Sequence, residues 1–207
     1  IFFKPNTGSG ALEVADTRMN GSCAGGTGAF IDEVASILKV PIEEFDAMAA
    51  QGTCVYDISG RCGVYAKTDI QPLLNQGVAK ENLALSAFHA IAKQTIGGLS
   101  QGLELTAPII FEGGPLTFNP TLVRVFAERL NLEERDIVRP DHPETIVARG
   151  TAIAIDELFG NIAQYAYNPE TGPATVRVEV SDAPISVTIT FMDHGVPYDP
   201  LQKEDPD

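Results

Sequence analysis

The sequence has few basic residues for its size. It contains 14 Lys and Arg against 28 Asp and Glu, which gives a formal net charge of -14 at pH 7 and a pI near 4.5. Nucleic acids and anionic membrane surfaces bind basic faces, so this balance argues against both as partners. No apolar run approaches the roughly 18 residues of a membrane span. The first residues, Ile1–Pro5, lack the basic start and the cleavage site of a signal peptide.

Cysteine is also scarce. The chain has 3 cysteines, an odd number that makes a poor disulfide framework. We predict the reducing cytoplasm as its compartment, where such cysteines more often serve metal or redox chemistry. At 207 residues, 44% hydrophobic and 20% charged, the chain is typical of a globular protein with one ordinary domain or two small ones.

The acidic residues are unevenly distributed, which indicates two regions. Residues 1–155 hold 12 Lys and Arg against 18 Asp and Glu, whereas residues 156–207 hold 2 against 10. We therefore place a boundary near Ile155. We predict an α/β region over 1–155, with a mixed sheet flanked by helices, and a small α+β segment over 156–207. The sequence contains no internal repeat, and no Gly/Ser-rich linker separates the two regions.

Local patterns predict the elements of both regions. Turn residues from Asn6 to Gly10 predict a β-hairpin over 1–20. Apolar residues at helical spacing predict helices after the glycine-rich stretch at 20–30, over 83–99 and over Pro120–Leu130. We further predict strands at Cys54–Ile58 and, buried, at Pro108–Phe111, a strand, turn and helix start over Thr145–Ala154, a helix over Asp156–Tyr165, and antiparallel strands at Ala174–Val180 and Ile185–Phe191.

The glycine-rich stretch Asn20–Phe30 precedes a predicted helix. Gly25, Gly26 and Gly28 would let backbone N–H groups approach an anion, and the helix N-terminus adds favourable partial charge. The Thr27 hydroxyl can donate to a phosphate or reach a magnesium-bound water. On spacing alone, a tight turn into a helix is an equal alternative to a phosphate-binding loop.

Two of the cysteines lie in polar loops. Cys23 lies in the glycine-rich stretch and Cys62 in a second loop, and neither belongs to a Cys-x-x-Cys pair. An iron–sulfur cluster usually needs four thiolates, which two subunits of a two-fold dimer would supply together. Cys54 lies in an apolar segment and is expected to be a small buried residue. Lys67 and Asp69 either wall the Cys62 site or form a surface ion pair.

Three motifs, Asn20–Asp32, Arg61–Ile70 and Phe111–Leu116, resemble the activators of 2-hydroxyacyl-CoA dehydratases, the BadF/BadG/BcrA/BcrD-type ATPases. The resemblance covers roughly Ile1 to Ile155. It implies an ATPase domain of the actin/sugar-kinase/Hsp70 superfamily and a homodimer that shares one [4Fe-4S] cluster. In that family, ATP hydrolysis drives a low-potential electron from a donor such as ferredoxin or flavodoxin into a dehydratase or a benzoyl-CoA-reductase-like enzyme.

The resemblance also implies roles for particular residues. Cys23 and Cys62 match the cluster ligands. The superfamily's first phosphate hairpin would precede Ile1, so we expect the chain to hold about the second half of the domain and to need the first half for hydrolysis. Other positions match the family's binding site for ATP and its Mg²⁺. They are Gly25, Gly26, Thr27 and Gly28 in the phosphate loop, and Gly113, Gly114 and Asn119 in the adenosine motif.

The acidic C-terminal region carries a second set of motifs. Glu157 and Asn161 are four residues apart and share one helical face, where a carboxylate can activate water and an amide oxygen can ligate Mg²⁺. Asp193 follows a strand and precedes Gly195, a position from which Asp can bind an adenine amino group. Together these residues resemble the histidine-kinase-like ATPases, in particular the anti-sigma-factor serine kinases. That resemblance implies Glu157 as the catalytic residue and Asn161, Asp193 and Gly195 as nucleotide contacts.

The leading hypothesis is therefore an ATP-dependent electron-transfer activator. An anti-sigma regulator that phosphorylates a serine of an antagonist protein is the alternative, and a folded fragment without activity is a third hypothesis. The region over 156–207 is either a fused segment of foreign origin or a genuine extension whose likeness to kinases is accidental.

Overall fold

The chain folds into two compact units, Ile1–Thr145 and Ile146–Asp207. Helices and strands are mixed in the described part of the chain, which confirms the predicted α/β class. None of the described helices is both long and apolar enough to cross a membrane. The computed structural model describes residues 1–8, 10–18, 26–60, 62–162, 166–167, 172–182 and 185–195.

The first unit is mainly helical, with short strands at its start and near its end. Its described strands are β1 (Phe2–Pro5), β2 (Leu12–Asp16), β3 (Ile109–Ile110) and β4 (Ile137–Val138). Short 3-10 turns cover Glu134–Asp136 and Pro143–Thr145. The described helices are α1 (Thr27–Leu38), α2 (Ile42–Ala49), α3 (Gly63–Asn75), α4 (Lys80–Ser100), α5 (Gly114–Phe118) and α6 (Pro120–Leu130).

The strands form separate pairs. The predicted N-terminal hairpin is confirmed, because β1 and β2 pair antiparallel with Phe3 opposite Val14. Near the other end of the unit, β3 and β4 pair in parallel. We predicted a mixed sheet for this region, and its described strands form these two separate two-stranded sheets. The strand predicted at Pro108–Phe111 is confined to two residues, and Ile110 is 49% exposed, so the predicted burial is wrong for that side chain.

Helix α4 is the central element of the first unit. Nearly every residue from Leu83 to Ala92 is buried, and α1, α2 and α6 pack against it. A helix that is apolar around its circumference is covered on all sides in this way. Phe88 packs edge-on against Phe45 of α2, with ring centroids 5.4 Å apart. Burial lowers the pKa of His89, which lies on the side of α4 near α6, and Arg129 lowers it further.

Charged side chains stabilise the ends of α4 and α6. Arg18, just after β2, donates from Nη1 to the carbonyl oxygens of Leu99 and Ser100 at the C-terminus of α4, at 3.0 and 2.5 Å. Asp46 of α2 accepts the backbone N–H and the hydroxyl of Thr121 in the first turn of α6, at 2.9 and 3.0 Å. A cation at a helix C-terminus and an anion at an N-terminus both complement the helix dipole.

The segment Gly52–Gly60, which we call the strap, lies extended along α4. It includes Cys54–Ile58, where a strand was predicted, but the described residues pair it with no strand. Its backbone bonds to polar side chains of α4 instead: Asn82 Oδ1 accepts the N–H of Cys54 at 3.1 Å, and Ser86 Oγ accepts that of Tyr56 at 2.8 Å. The strand prediction is wrong because a helix, not a strand, supplies the acceptors.

Both ends of the strap approach the backbone of α4 closely. A Cβ on Gly52 would lie 2.6 Å from the carbonyl oxygen of Glu81, and a Cβ on Gly60 would lie 2.5 Å from that of Ala90. Side chains cannot be accommodated at such distances unless the strap moves. Cys54 is exposed, so the expectation that it is buried is wrong. The bond to Asn82 fixes its backbone on α4 and leaves its side chain at the surface.

The second unit contains α7 (Ile146–Asn161) and an antiparallel hairpin of β5 (Ala174–Asp182) and β6 (Ile185–Asp193), which confirms the two strands predicted there. The strand and turn predicted over Thr145–Ala154 are wrong, because α7 is continuous through Gly150. An interior glycine costs a helix about 1 kcal/mol relative to Ala without ending it. The Tyr167 hydroxyl donates to the Pro173 carbonyl and accepts the His194 N–H, at 2.6 and 2.7 Å, and so ties both ends of the hairpin.

Candidate functional site

The glycine-rich stretch leads into the first turn of α1. Gly26 is the N-cap residue and is exposed, and Thr27 is the first helical residue and is half-buried. Among the described residues, no side chain caps this end. The first N–H groups of an α-helix have no partner within the helix. Free N–H groups at the positive end of a helix dipole favour an anion such as phosphate. Cys23 and Gly25 lie outside the described residues.

The second predicted glycine segment follows β3. Gly113 has φ +94°, a conformation that glycine adopts without strain, and its N–H donates to the Pro143 carbonyl at 3.0 Å. Among the described residues, a Cβ on Gly113 would meet no atom within 4 Å, so the described neighbours leave this backbone open to an approaching group. Gly114 begins α5, and Asn119 joins α5 to α6 while donating from Nδ2 to the Pro115 carbonyl at 2.8 Å.

The structure brings the two glycine segments together. A Cβ on Gly28 would lie 3.8 Å from Cγ of Pro115, which is ordinary van der Waals contact. Helices α1 and α5 are accordingly neighbours. The start of α1 and the backbone around Gly113 are therefore parts of one region, although they are far apart in sequence.

Helix α4 adds polar groups that sequence analysis did not identify. A small depression beside the start of α1 is lined by Gly26 and Thr27, by Gly60 of the strap, and by Gln94 and Thr95 of α4, among others. Both α4 side chains are half-buried. The sequence held a signal for these groups, because polar residues stand four or eight positions apart in this helix, at Asn82, Ser86 and Gln94.

An open groove of about 610 Å³ adjoins this depression and shares Gly60 and Gln94 with it. Asp57 of the strap and Lys93 of α4 form an ion pair across part of its wall, at 3.2 Å. Both side chains are largely exposed, so this pair adds little to stability. Asp69 of α3 also lines the groove.

Cys62 lies at the other end of this region, directly after the strap. It is the N-cap residue of α3, a helix that we did not predict, and it is half-buried. The residues on either side are held in place: Asp69 Oδ2 accepts the Ser59 N–H at 2.9 Å, and a Cβ on Gly63 would overlap the Glu33 carboxylate. No Lys67–Asp69 ion pair occurs in the part of the chain that the structure describes, so Asp69 acts on the strap instead.

The residues at Cys62 fit one part of an iron–sulfur site. A thiolate there would lie at the positive end of α3, which favours the negative charge of a thiolate-bound cluster. The described residues hold no group of three or more His, Cys, Asp and Glu side chains able to bind a metal ion alone. A metal ion bound at Cys62 would therefore need further ligands from elsewhere, which the predicted pairing with Cys23 and with a second subunit would supply.

Comparison with known proteins decides the family. A family model described as the BadF/BadG/BcrA/BcrD ATPase family matches residues 11–153, more than half of the chain. The chain belongs to the BadF/BadG/BcrA/BcrD ATPase family. The 2-hydroxyisocaproyl-CoA dehydratase activator of Clostridioides difficile is 29% identical to it over 140 residues, which are 67% of this chain and 51% of that activator.

Solved structures of dehydratase components agree with this membership. Component A of the (R)-2-hydroxyglutaryl-CoA dehydratase of Acidaminococcus fermentans superposes with a TM-score of 0.59 at 26% identity, covering 68% of this chain and 52% of that one. The Clostridium difficile 2-hydroxyisocaproyl-CoA dehydratase activator, solved with bound ADPNP, gives a TM-score of 0.57 at 28% identity, covering 69% and 52%. This chain spans about half the length of these family members.

The family match ends at residue 153, so the resemblance of residues 156–207 to the serine kinases stays a prediction. Glu157 and Asn161 do lie in one helix, α7. Asp193 ends β6, and its Oδ1 accepts the Gly195 N–H at 2.9 Å. That carboxylate oxygen is therefore engaged in a local turn, which an adenine contact would have to share.

Proposed function

We propose that residues 1–155 form the C-terminal half of the ATPase domain of a dehydratase activator and that residues 156–207 are a separate segment. In this function, ATP hydrolysis in the cytoplasm drives transfer of one electron at a time from a ferredoxin or flavodoxin donor to a 2-hydroxyacyl-CoA dehydratase or a benzoyl-CoA-reductase-like enzyme. The carrying observation is that α1 and α5, whose starts hold the two glycine segments Gly26–Gly28 and Gly113–Pro115, are neighbours in a chain of this family.

Nucleotide binding would use the groups that this contact places together. The first N–H groups of α1 would bind phosphate oxygens, and the Thr27 hydroxyl would donate to a phosphate or to a magnesium-bound water. The open backbone at Gly113 and Gly114 would lie against the nucleoside, with Asn119 holding that segment through its bond to Pro115. The first half of the domain would complete the site for hydrolysis.

The cysteines would bind the redox group. Cys23 and Cys62 of two subunits would together supply the four thiolates of one [4Fe-4S] cluster. A bound cluster would supply one-electron transfer. Val64 and Tyr65, in the first turn of α3 directly after Cys62, are 68% and 61% exposed. An exposed apolar pair beside the ligand supports a subunit contact there.

Iron binding tests this proposal directly. The chain would be purified anaerobically, reconstituted with iron and sulfide, and analysed for bound iron, for the thiolate-to-iron absorption and for mass in solution. We expect a brown dimer with about four irons per two chains, lost in Cys62→Ser and in Cys23→Ser. Cys54→Ser is the matched control, because Cys54 is exposed on the strap, and it should keep the iron. A colourless monomer that takes up no iron would contradict the proposal.

Nucleotide affinity separates the activator from the serine-kinase alternative. The activator predicts that Thr27→Ala weakens ATP binding and that Asn161→Ala leaves it unchanged. The kinase alternative predicts the reverse. Titration calorimetry with a non-hydrolysable ATP analogue measures both variants on the same chain.

A further inference from the structure

We propose that Asp69 is a positioning residue for Cys62: its bond to the strap fixes the loop that carries the thiolate, in the absence as in the presence of a cluster. The inference rests on the proposed function, because it takes Cys62 as a cluster ligand. Asp69 lies on α3, seven positions after that cysteine and within the motif Arg61–Ile70, but the resemblance assigns it no role.

The argument begins with how the chain reaches Cys62. The strap ends at Gly60 and α3 begins at Gly63, so the loop between them is short. On its N-terminal side, Gly60 is in close contact with Ala90 of α4. On its C-terminal side, Gly63 is in close contact with Glu33 of α1. Close packing of glycines limits how far the loop can move inward, but it offers no attraction that holds the loop in place.

Asp69 supplies that attraction. Its Oδ2 accepts the Ser59 N–H at 2.9 Å, and the bond joins the second turn of α3 back to the strap across the whole Cys62 loop. A hydrogen bond to a carboxylate is stronger than one between neutral groups. Asp69 is half-buried, so water competes less for its carboxylate than it would at the surface. The bond therefore closes a loop of which Cys62 is a member.

Position matters at Cys62 for a chemical reason. In the proposed dimer, ligands from two subunits meet at one shared cluster. Because both subunits carry the same loop, a displaced loop would displace the Cys62 ligand of each subunit. A loop that samples several positions would still bind iron but would release it faster, because each thiolate would leave the metal more often. Asp69 should accordingly affect how long a cluster is retained more than whether the chain folds.

The test compares Asp69→Ala with Asp69→Asn and with Asn82→Ala. Asn at 69 keeps one acceptor oxygen for the Ser59 N–H. Asn82 holds the same strap to α4 through the N–H groups of Thr53 and Cys54, at 2.8 and 3.1 Å, but at the end remote from Cys62. The Asn82 variant is therefore the matched control for loss of strap stability without loss of the bond across the Cys62 loop.

Two readouts are needed. In the metal-free chain, amide hydrogen exchange at Ser59 should be about ten- to a hundredfold faster in Asp69→Ala than in the wild type, which corresponds to loss of one charge-assisted hydrogen bond. In the reconstituted chain, a ferrous chelator should remove iron from Asp69→Ala at least several-fold faster, with Asp69→Asn in between. Asn82→Ala should lower the melting temperature and leave the chelation rate unchanged.

The outcomes separate the two proposals. If Asp69→Ala and Asn82→Ala speed iron loss in equal proportion to their loss of stability, Asp69 is merely structural and the inference is overturned. If Ser59 exchange is unchanged in Asp69→Ala, the bond does not hold the loop and the inference is likewise overturned. If the wild type binds no iron, the proposed function fails, whereas the exchange measurement still reports on the bond itself.

Discussion

Replacing Gly60 with Ala tests how strictly the strap depends on contact with α4. A Cβ on Gly60 would lie 2.5 Å from the carbonyl oxygen of Ala90 and 2.8 Å from its carbonyl carbon. Both atoms belong to the backbone of a buried helix and cannot move aside. Gly60 is not among the residues with positive φ, so Ala carries no penalty from the dihedral angle itself. The strap must therefore move outward by roughly 1 Å to restore normal carbon–oxygen contact.

The cost of this displacement is that of overpacking a well-packed contact, about 1–3 kcal/mol. For a chain of this size that corresponds to a fall in melting temperature of roughly 2–4 °C per kcal/mol. Circular dichroism at the helix band measures it, since the described helices of the first unit pack around α4. The shift should also weaken the Ser59–Asp69 bond and lower the iron retained by the reconstituted chain, because Cys62 is two residues further on.

Gly97→Ala is the matched control for this substitution. Gly97 lines the same groove as Gly60 but lies within α4, and a Cβ there would meet no atom of the described residues within 4 Å. Alanine in place of an interior helical glycine should stabilise the chain by about 0.5–1 kcal/mol. The two substitutions, chemically identical, should therefore have opposite signs. Equal stability of Gly60→Ala and the wild type would refute the close contact between strap and helix.

Three further substitutions test other contacts. Asp46→Ala should cost about 1–3 kcal/mol in urea unfolding, because the buried Thr121 loses the acceptor of both its N–H and its hydroxyl; an unchanged midpoint would contradict this cap. Arg18→Gln should cost about 1 kcal/mol and speed amide exchange at the C-terminus of α4, where the guanidinium bonds to the Leu99 and Ser100 carbonyls. Because burial lowers the pKa of His89, the unfolded chain binds this proton more readily, so stability should fall as pH drops below about 6.5 until the folded pKa is passed. His89→Gln should flatten that part of the pH profile, and a profile that keeps its slope would assign the dependence to other groups.

The elements that sequence predicted well are those whose pattern is set by local periodicity. Helix Pro120–Leu130 was predicted with its observed bounds, and the Pro at its start and Asn131 at its C-cap are positional signals that agree with them. The hairpin over 174–193 followed from strict alternation of apolar and polar residues. Helix α3 was missed because Cys62 and Gly63, read for their chemistry, give no capping signal.

The site was predictable in part for the same reason. The resemblance named the glycines and cysteines, because short motifs identify them without reference to the fold. The bonds that hold these motifs could not be found in this way. Asp69 lies within the motif Arg61–Ile70, but its bond, like that of Asn82, is to a backbone group outside its own helix. An apolar run such as Cys54–Ile58 predicts a strand wherever a neighbouring strand can pair with it. Here the acceptors come from side chains of α4, and periodicity carries no information about such an arrangement.

The polar residues of α4 explain why the Cys62 loop and the proposed phosphate site at the start of α1 need one long central helix. Asn82, Ser86 and Gln94 are separated by four or eight residues and so lie on one row of the helix surface that is inclined to the helix axis. The first two hold the backbone of the strap, and Gln94 lies where the depression beside Thr27 meets the groove that Asp69 lines. One rigid element thus fixes the approach to Cys62 and borders the start of α1. A substitution that moves the strap along α4 would act on the Cys62 loop and on the proposed phosphate site together. The two sites would then be coupled without any change in the cysteine motif or the glycine-rich motif.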